Sequence, residues 1–306
     1  MRFKGLDLNL LMALDVMLEE RSVSAAGRRL FLSQSAASGA LSRLREHFND
    51  ELLIPVGRRM APTPFAEGLM EPLRDLMLRI DATVSPGQAF DPATTRRTFR
   101  IGCSDYITEV VISRLVPLIA ERAPGAVLDV VAPGSDQPGS LDSGEVDILI
   151  MPEFYMAPGH PYEPLYDERH VVVAWEGNTL LADGRMDEER FRSLGHVVVR
   201  FARIRASSLA ETWMDTHVPE RRIELIAPAF IHVPRMLVGT QRIAITHERL
   251  ARMQADVLPI RLFEPPFDIP PVREVVQSHR ARRSDGGLRW MIDQIRDSVS
   301  GLARRR

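Results

Sequence analysis

The chain has 306 residues, 45% hydrophobic and 26% charged, with a formal net charge of −2. That length and balance suit two or three ordered domains with a sizeable core, and they exclude a mainly disordered chain. No run approaches the roughly 18–20 apolar residues of a membrane helix, and the charged opening MRFKGLDLNLLMALDVMLEE lacks a signal-peptide core. The single cysteine, Cys103, cannot form an intrachain disulfide or a cysteine-based metal site. A cytoplasmic protein with no cofactor and no metal is expected.

Charge is unevenly distributed. Residues 21–59 carry seven arginines (Arg21, Arg28, Arg29, Arg43, Arg45, Arg58, Arg59) against three acids (Glu46, Asp50, Glu51), a local +4. Aromatic residues divide as well: all three Trp and all four Tyr lie beyond residue 95. Two modules of different character follow.

The first module reads as helices. Leu8, Leu11, Leu14 and Leu18 form a helical stripe. Val23, Ala26 and Leu30 make a short second helix opened by Ser22 or Ser24. Ser33 caps a third, with Ala37, Leu41, Leu44 and Phe48 on one face and Ser35, Ser38, Ser42 and Arg45 on the other. Two short strands around Gly57 predict a hairpin with Arg58 and Arg59 at its tip. Pro64 then stands at the first position of a long helix, striped by Phe65, Leu69, Leu73, Leu76 and Ile80, and residues 85–96 read as a hinge.

From Thr98 the rhythm becomes alternating strand and helix. Strands are expected at 98–103, 127–131, 146–151, 170–175, 196–201, 223–227 and 243–246. Helices are expected at 107–123, 207–217 and 285–302. This order predicts a mostly parallel α/β domain split into two lobes.

A short helix, a tight turn and a helix with a small polar face make a helix-turn-helix. A recognition helix must enter a groove about 12 Å wide, so its outer face should be small and hydrogen-bonding. Gln34 can pair bidentately with adenine, the helix N-terminus can donate to phosphate, and the hairpin tip resembles a wing reaching the backbone or minor groove. The residues expected to meet DNA are Ser33, Gln34, Ser35, Ser38, Arg43, Arg45, Arg58 and Arg59.

Asp7-Leu-Asn-Leu-Leu, Ser24-Ala-Ala-Gly-Arg-Arg-Leu, Leu32-Ser-Gln-Ser-Ala-Ala-Ser, Leu41-Ser-Arg-Leu-Arg and Pro62-Thr-Pro occur in order, and they resemble the LysR-type transcriptional regulators. Arg97-Thr-Phe-Arg-Ile and Gly144-Glu-Val-Asp-Ile-Leu-Ile-Met-Pro-Glu are most similar to its NodD branch, and Gly195-His-Val recurs there and in nitroaromatic- and salicylate-sensing relatives. The resemblance spans the chain. It implies an N-terminal winged helix-turn-helix (1–63), a dimerising linker helix and hinge (64–96), and a two-lobed α/β effector domain like periplasmic binding proteins (97–303). Lobe I would comprise 97–167 and 271–303, and lobe II 168–270. Three positions depart from the family pattern: Ser35 and His247 stand where Pro is usual, and Val56 where Arg is frequent.

The resemblance further implies an inter-lobe pocket at strand carboxyl ends. Ser104, Asp105 and Tyr106 open onto it, His170 and His196 contact the ligand, and Phe201, Ile204, Phe230, Thr246 and His247 complete the wall. A small aromatic effector of phenolic, hydroxybenzoate or flavonoid type is expected. Promoter DNA, a homodimer or dimer of dimers, RNA polymerase, and target genes of aromatic catabolism or signalling complete the expectation. The competing reading is an α/β solute-binding protein or an enzyme with an accessory helix-turn-helix module. It lacks a nucleophile elbow, a phosphate loop, a paired-acid cleft and an export signal.

Overall fold

A computed structural model describes residues 6–57, 59–84, 90–132, 138–201 and 206–300. The chain divides into two units, one over residues 1–88 and one over the bulk of residues 89–306.

In the first unit, Asp7 caps α1 (Leu8–Glu20) by accepting from Leu10 N at 2.9 Å. Ser22 caps α2 (Val23–Arg29) and Ser33 caps α3 (Gln34–Phe48), each accepting from the amide three residues on. Such a cap contributes about 1 kcal/mol. The buried face of α1 is Leu10, Ala13, Leu14, Met17 and Leu18; Leu8, expected inside, is exposed. A Cβ on Gly27 would lie 3.2 Å from the Ala37 Cβ, so a residue without a side chain sits where α2 meets α3. β1 (Leu53–Val56) and β2 (Arg59–Pro62) pair antiparallel, Val56 opposite Arg59.

Thr63 opens α4 (Pro64–Val84) by accepting from Ala66 N and donating to Asp50 Oδ1 at 2.6 Å. The stripe foreseen on α4 divides. Leu73 is 6% exposed and packs with Leu69, Met70 and Met77 on the α1–α3 core, whereas Phe65 and Leu76 stay exposed. Arg74 donates to Asp15 at 2.7 Å and Glu19 at 2.8 Å, fixing α4 along α1.

The second unit runs β3 (Thr98–Cys103), α5 (Asp105–Ile107), α6 (Ser113–Arg122), β4 (Val127–Val131), α7 (Gly139–Asp142), β5 (Ile148–Pro152), β6 (Tyr162–Glu168), β7 (His170–Trp175), α8 (Glu188–Ser193) and β8 (Gly195–Phe201). It continues with β9 (Ala206–Ser207), α9 (Leu209–His217), β10 (Arg222–Ala227), α10 (Val233–Leu237), β11 (Ile243–His247), α11 (Glu248–Ala255), β12 (Ile260–Phe263), β13 (Val272–Ser278) and α12 (Gly286–Ser300). A π-helical segment, Thr108–Ile112, joins α5 to α6.

Two sheets result, β4-β3-β5-β13-β6 and β10-β8-β11-β7-β12. The expectation of mostly parallel sheets needs correction. β3, β4 and β5 pair parallel, as do β8, β10 and β11, but β13 pairs antiparallel with β5 and β6, and β7 with β11 and β12. β6, β9, β12 and β13 lie outside the strands that the sequence pattern predicts. The chain passes from one sheet to the other at Arg169, between β6 and β7, and returns between β12 and β13. A continuous apolar cluster joins the lobes, with Phe99, Ile101 and Tyr106 from the first and Val171, Val197 and Phe230 from the second.

Candidate functional site

On α3, Ala37, Leu41 and Leu44 are buried, while Gln34, Ser35, Ser38 and Ser42 are exposed together with Arg43. Ser33 Oγ lies 3.0 Å from Ser35 Oγ and caps Ala36 N, so both hydroxyls belong to the first turn of the helix. Arg45 is engaged elsewhere. Its guanidinium donates to the carbonyls of Glu51 at 2.8 Å and Leu53 at 2.7 Å, so it braces β1 against the end of α3. The last turn of α3 thus meets the hairpin, and the Arg45 side chain bridges them rather than standing with the first-turn residues. Arg43 approaches Asp7 at 3.6 Å. Arg58 and the side chain of Arg59 lie outside the described residues, as does Ile204.

Most of the expected effector residues converge where the carboxyl ends of β3, β8, β10 and β11 meet. Ser104 caps the helix after β3, accepting from Ile107 N, and its carbonyl accepts from the Thr108 hydroxyl at 2.9 Å. Asp105 Oδ2 accepts from Ile231 N at 2.8 Å, across from one lobe to the other. Burial raises the Asp105 carboxyl above its usual range against several backbone N–H groups that lower it. Tyr106 is fully buried; its ring stacks on His247 and meets Phe230 edge-on at 6.5 Å, and Phe201 packs on Phe230 at 5.4 Å.

A polar cluster surrounds these rings. The Tyr106 hydroxyl donates to Glu168 in a short hydrogen bond and lies 3.0 Å from the Tyr166 hydroxyl. Arg249 donates to Glu168 at 2.9 Å and places its guanidinium over the Tyr166 ring at 4.6 Å. Glu274, fully buried on β13, is pushed up to about 8 by burial and then by the neighbouring Glu168 charge. Burial lowers His170 to about 4, and lowers His247 well below the ordinary histidine value with the His170 charge as a second cause. Both imidazoles are therefore neutral at pH 7. His170 Nδ1, Thr246 Oγ1, His247 Nδ1 and Glu274 Oε2 are buried without a hydrogen-bond partner. On the same carboxyl-end rim, a cavity of about 350 Å³ is lined by Pro152, Phe154, Asp167, Leu209, Val272 and Arg273.

His196 is not part of this group. It opens β8 and sits opposite Ile223 and Ile243, the starts of β10 and β11. Five residues of strand, about 16 Å, separate it from the Phe201 end. Its Nε2 lies 2.8 Å from the Phe191 carbonyl and its ring packs edge-on against Phe191. The structure thus places His196 in the core of lobe II, apart from the side chains gathered around Tyr106 and His247. Tyr166, Glu168, Arg249 and Glu274 were missed. Three of them lie on or beside strands with no sharp alternation, and the only sequence signal was charged residues inside β-rich segments.

Residues 8–67 match the family model of the bacterial regulatory helix-turn-helix protein, lysR family, and residues 92–300 match the LysR substrate binding domain. Nodulation protein D 2 of Rhizobium tropici is 40% identical over 300 residues, covering 98% of this chain and 95% of that protein. Nodulation protein D 1 of Bradyrhizobium elkanii is 41% identical over 303 residues, covering 99% and 96%. Among solved structures, a probable transcriptional regulator from Pseudomonas aeruginosa superposes with a TM-score of 0.65 at 28% identity, over 95% of this chain and 97% of its own. Full-length OxyR from the same organism reaches 0.74 at 16% identity, over 96% and 94%, a likeness of fold alone. CbnR, solved with its target DNA, gives 0.52 at 14% identity, over 96% and 100%.

Proposed function

The chain belongs to the LysR family of bacterial transcriptional regulators, and on that premise we propose that it controls promoters in response to a flat, uncharged phenolic molecule held by the Tyr106–His247 cluster. The observation that carries the ligand class is the set of four buried polar atoms without partners beside stacked aromatic rings. Buried polar groups are nearly always hydrogen-bonded, so an unfilled set needs a reason. Aromatic walls with a few convergent polar atoms suit a small aromatic ligand.

Charge selects within that class. Asp105 and Glu168 stand around the site with two neutral imidazoles and a Glu274 carboxyl that burial holds protonated, and the guanidinium of Arg249 is already bonded to Glu168. Among the described residues, a carboxylate ligand would meet acids without an uncommitted cation. A phenolic O–H would meet acceptors. Phenols and flavonoids therefore fit better than hydroxybenzoates.

DNA would be read by Gln34, Ser35 and Ser38, with Ser33 and the first-turn amides of α3 on phosphate and Arg43, Arg58 and Arg59 adding backbone contacts. Two copies would join through the exposed side of α4, around Phe65 and Leu76, as a dimer or a dimer of dimers. RNA polymerase is then the partner at the promoter, and work on chromosomal DNA puts the protein in the cytoplasm. By the names of the relatives at 40–41% identity, nodulation genes are the first targets to test.

The test is calorimetric titration of the full-length protein with a flavonoid, a simple phenol, a hydroxybenzoate and an aliphatic acid, read together with gel shift of the intergenic DNA upstream of its gene. Binding of the flavonoid or phenol, with the hydroxybenzoate at least tenfold weaker, supports the proposal. Binding confined to the aliphatic acid rejects it.

A further inference from the structure

Phe31 stands in the turn between α2 and α3, three residues before Gln34. It combines two features that are each costly to a fold. Its side chain is 96% exposed, the highest among the exposed large hydrophobic residues described. Its backbone is left-handed, with φ 55°, a conformation that costs an L-residue roughly 1–2 kcal/mol and that bulky side chains rarely adopt.

The described non-glycine residues with positive φ all stand at turns or helix ends. Arg21 and Asn49 cap the ends of α1 and α3, bonding the carbonyls of Met17 and Arg45. Leu52 is fully buried and its amide donates to Asp50 at 2.7 Å. Phe31 ends α2 in a similar way, its amide donating to the Arg28 carbonyl at 3.2 Å and the Leu32 amide to the Gly27 carbonyl at 2.8 Å, but it leaves its ring in solvent. The turn needs the conformation; among the described residues of this unit nothing buries the phenyl group.

We infer that the Phe31 ring is a DNA contact, an apolar wedge that meets a thymine methyl or a deoxyribose face beside the entry of the recognition helix. The occupant follows from continuity with the family's DNA-reading surface. In a helix-turn-helix the N-terminal turn of the second helix carries the base-reading residues, and Phe31 is two residues from the cap Ser33. The groove presents apolar groups there, and phenylalanine against the thymine methyl is an established pairing chemistry. A bulky side chain kept at a helix-end position that glycine or asparagine fills at lower cost is what a contact made by the ring would maintain.

The test compares full-length Phe31→Asn and Phe31→Leu with wild type on duplexes selected from a randomised pool by the wild-type protein. Asparagine tolerates the left-handed region, so Phe31→Asn should melt higher than wild type while binding DNA about tenfold more weakly, the scale of one base-edge contact. Its affinity should fall with salt at the wild-type slope, because no phosphate contact is lost. Phe31→Leu should keep most of the affinity. Replacing thymidine by deoxyuridine separates the two DNA surfaces. A loss confined to wild type marks the methyl, and no loss for either protein marks the sugar. Unaltered DNA affinity in Phe31→Asn overturns the inference. So does a lower melting temperature with dissociation of the oligomer, which would make the ring a contact between copies.

Discussion

Tyr106, at the rim of one sheet, lies flat on His247, at the rim of the other, with ring centroids 3.9 Å apart and planes 16° from parallel. The Asp105–Ile231 hydrogen bond crosses the same seam from the neighbouring residue of α5. Two adjacent residues of lobe I thus close onto lobe II, and a ligand that changes this seam changes how the lobes sit. A ligand acts only through its unequal affinity for the two arrangements.

Thr246 gives the cleanest test of that site. Its hydroxyl is buried and has no hydrogen-bond partner. Thr246→Val removes it with little change of shape, so stability should stay level or rise, because the cost of burying an unpaired hydroxyl disappears. Effector affinity should fall by roughly 1–3 kcal/mol. Thermal melting and calorimetric titration read the two signs; a loss of stability with unchanged affinity would place the hydroxyl outside the ligand site.

Glu274 should make stability depend on pH in one direction. Its folded value near 8 stands above the ordinary glutamate value of 4.5, so the folded protein holds a proton that the unfolded chain releases. Its contribution is complete below about pH 4.5 and is lost as pH rises to about 8. Glu274→Gln imitates the protonated form. The variant should match wild type near pH 5 and melt progressively higher than it toward pH 8. A constant difference between the two melting curves across that range would show that this carboxyl does not titrate there.

For His196→Phe the outcome expected is a less stable protein with effector affinity intact. The imidazole holds the Phe191 carbonyl inside lobe II, and losing a partner for a buried carbonyl costs about 1–3 kcal/mol. Denaturant unfolding and effector titration of one preparation decide it, and abolished binding in a fully stable variant would return His196 to the ligand wall.

Charges on α4 should separate folding from assembly. Leu73→Glu buries a carboxylate in the helical core and should unfold the first unit. Leu76→Glu sits at a position 41% exposed and should leave helicity unchanged while dissociating the oligomer. Circular dichroism with sedimentation distinguishes them; an intact dimer in Leu76→Glu would rule out that face.

Local chemistry was legible in the sequence wherever it acts over a few residues. Ser33 as a cap, a serine at the start of α2, the two faces of α3 and the hairpin around Gly57 follow from short-range spacing, and the run of motifs identified the family. Direction across a sheet does not follow from spacing. His170 and His196 each open an apolar strand and look equivalent along the chain. β7 runs antiparallel to β11, which carries His170 opposite His247 at the site, whereas β8 runs parallel to β11 and leaves His196 at the far end. The same limit applies to Leu73 and Leu76 on one stripe, and to Arg45 on the polar face of α3. Periodicity tells which residues share a side of a helix, but only the packed neighbours decide whether that side meets the protein's own core, its hairpin or a partner.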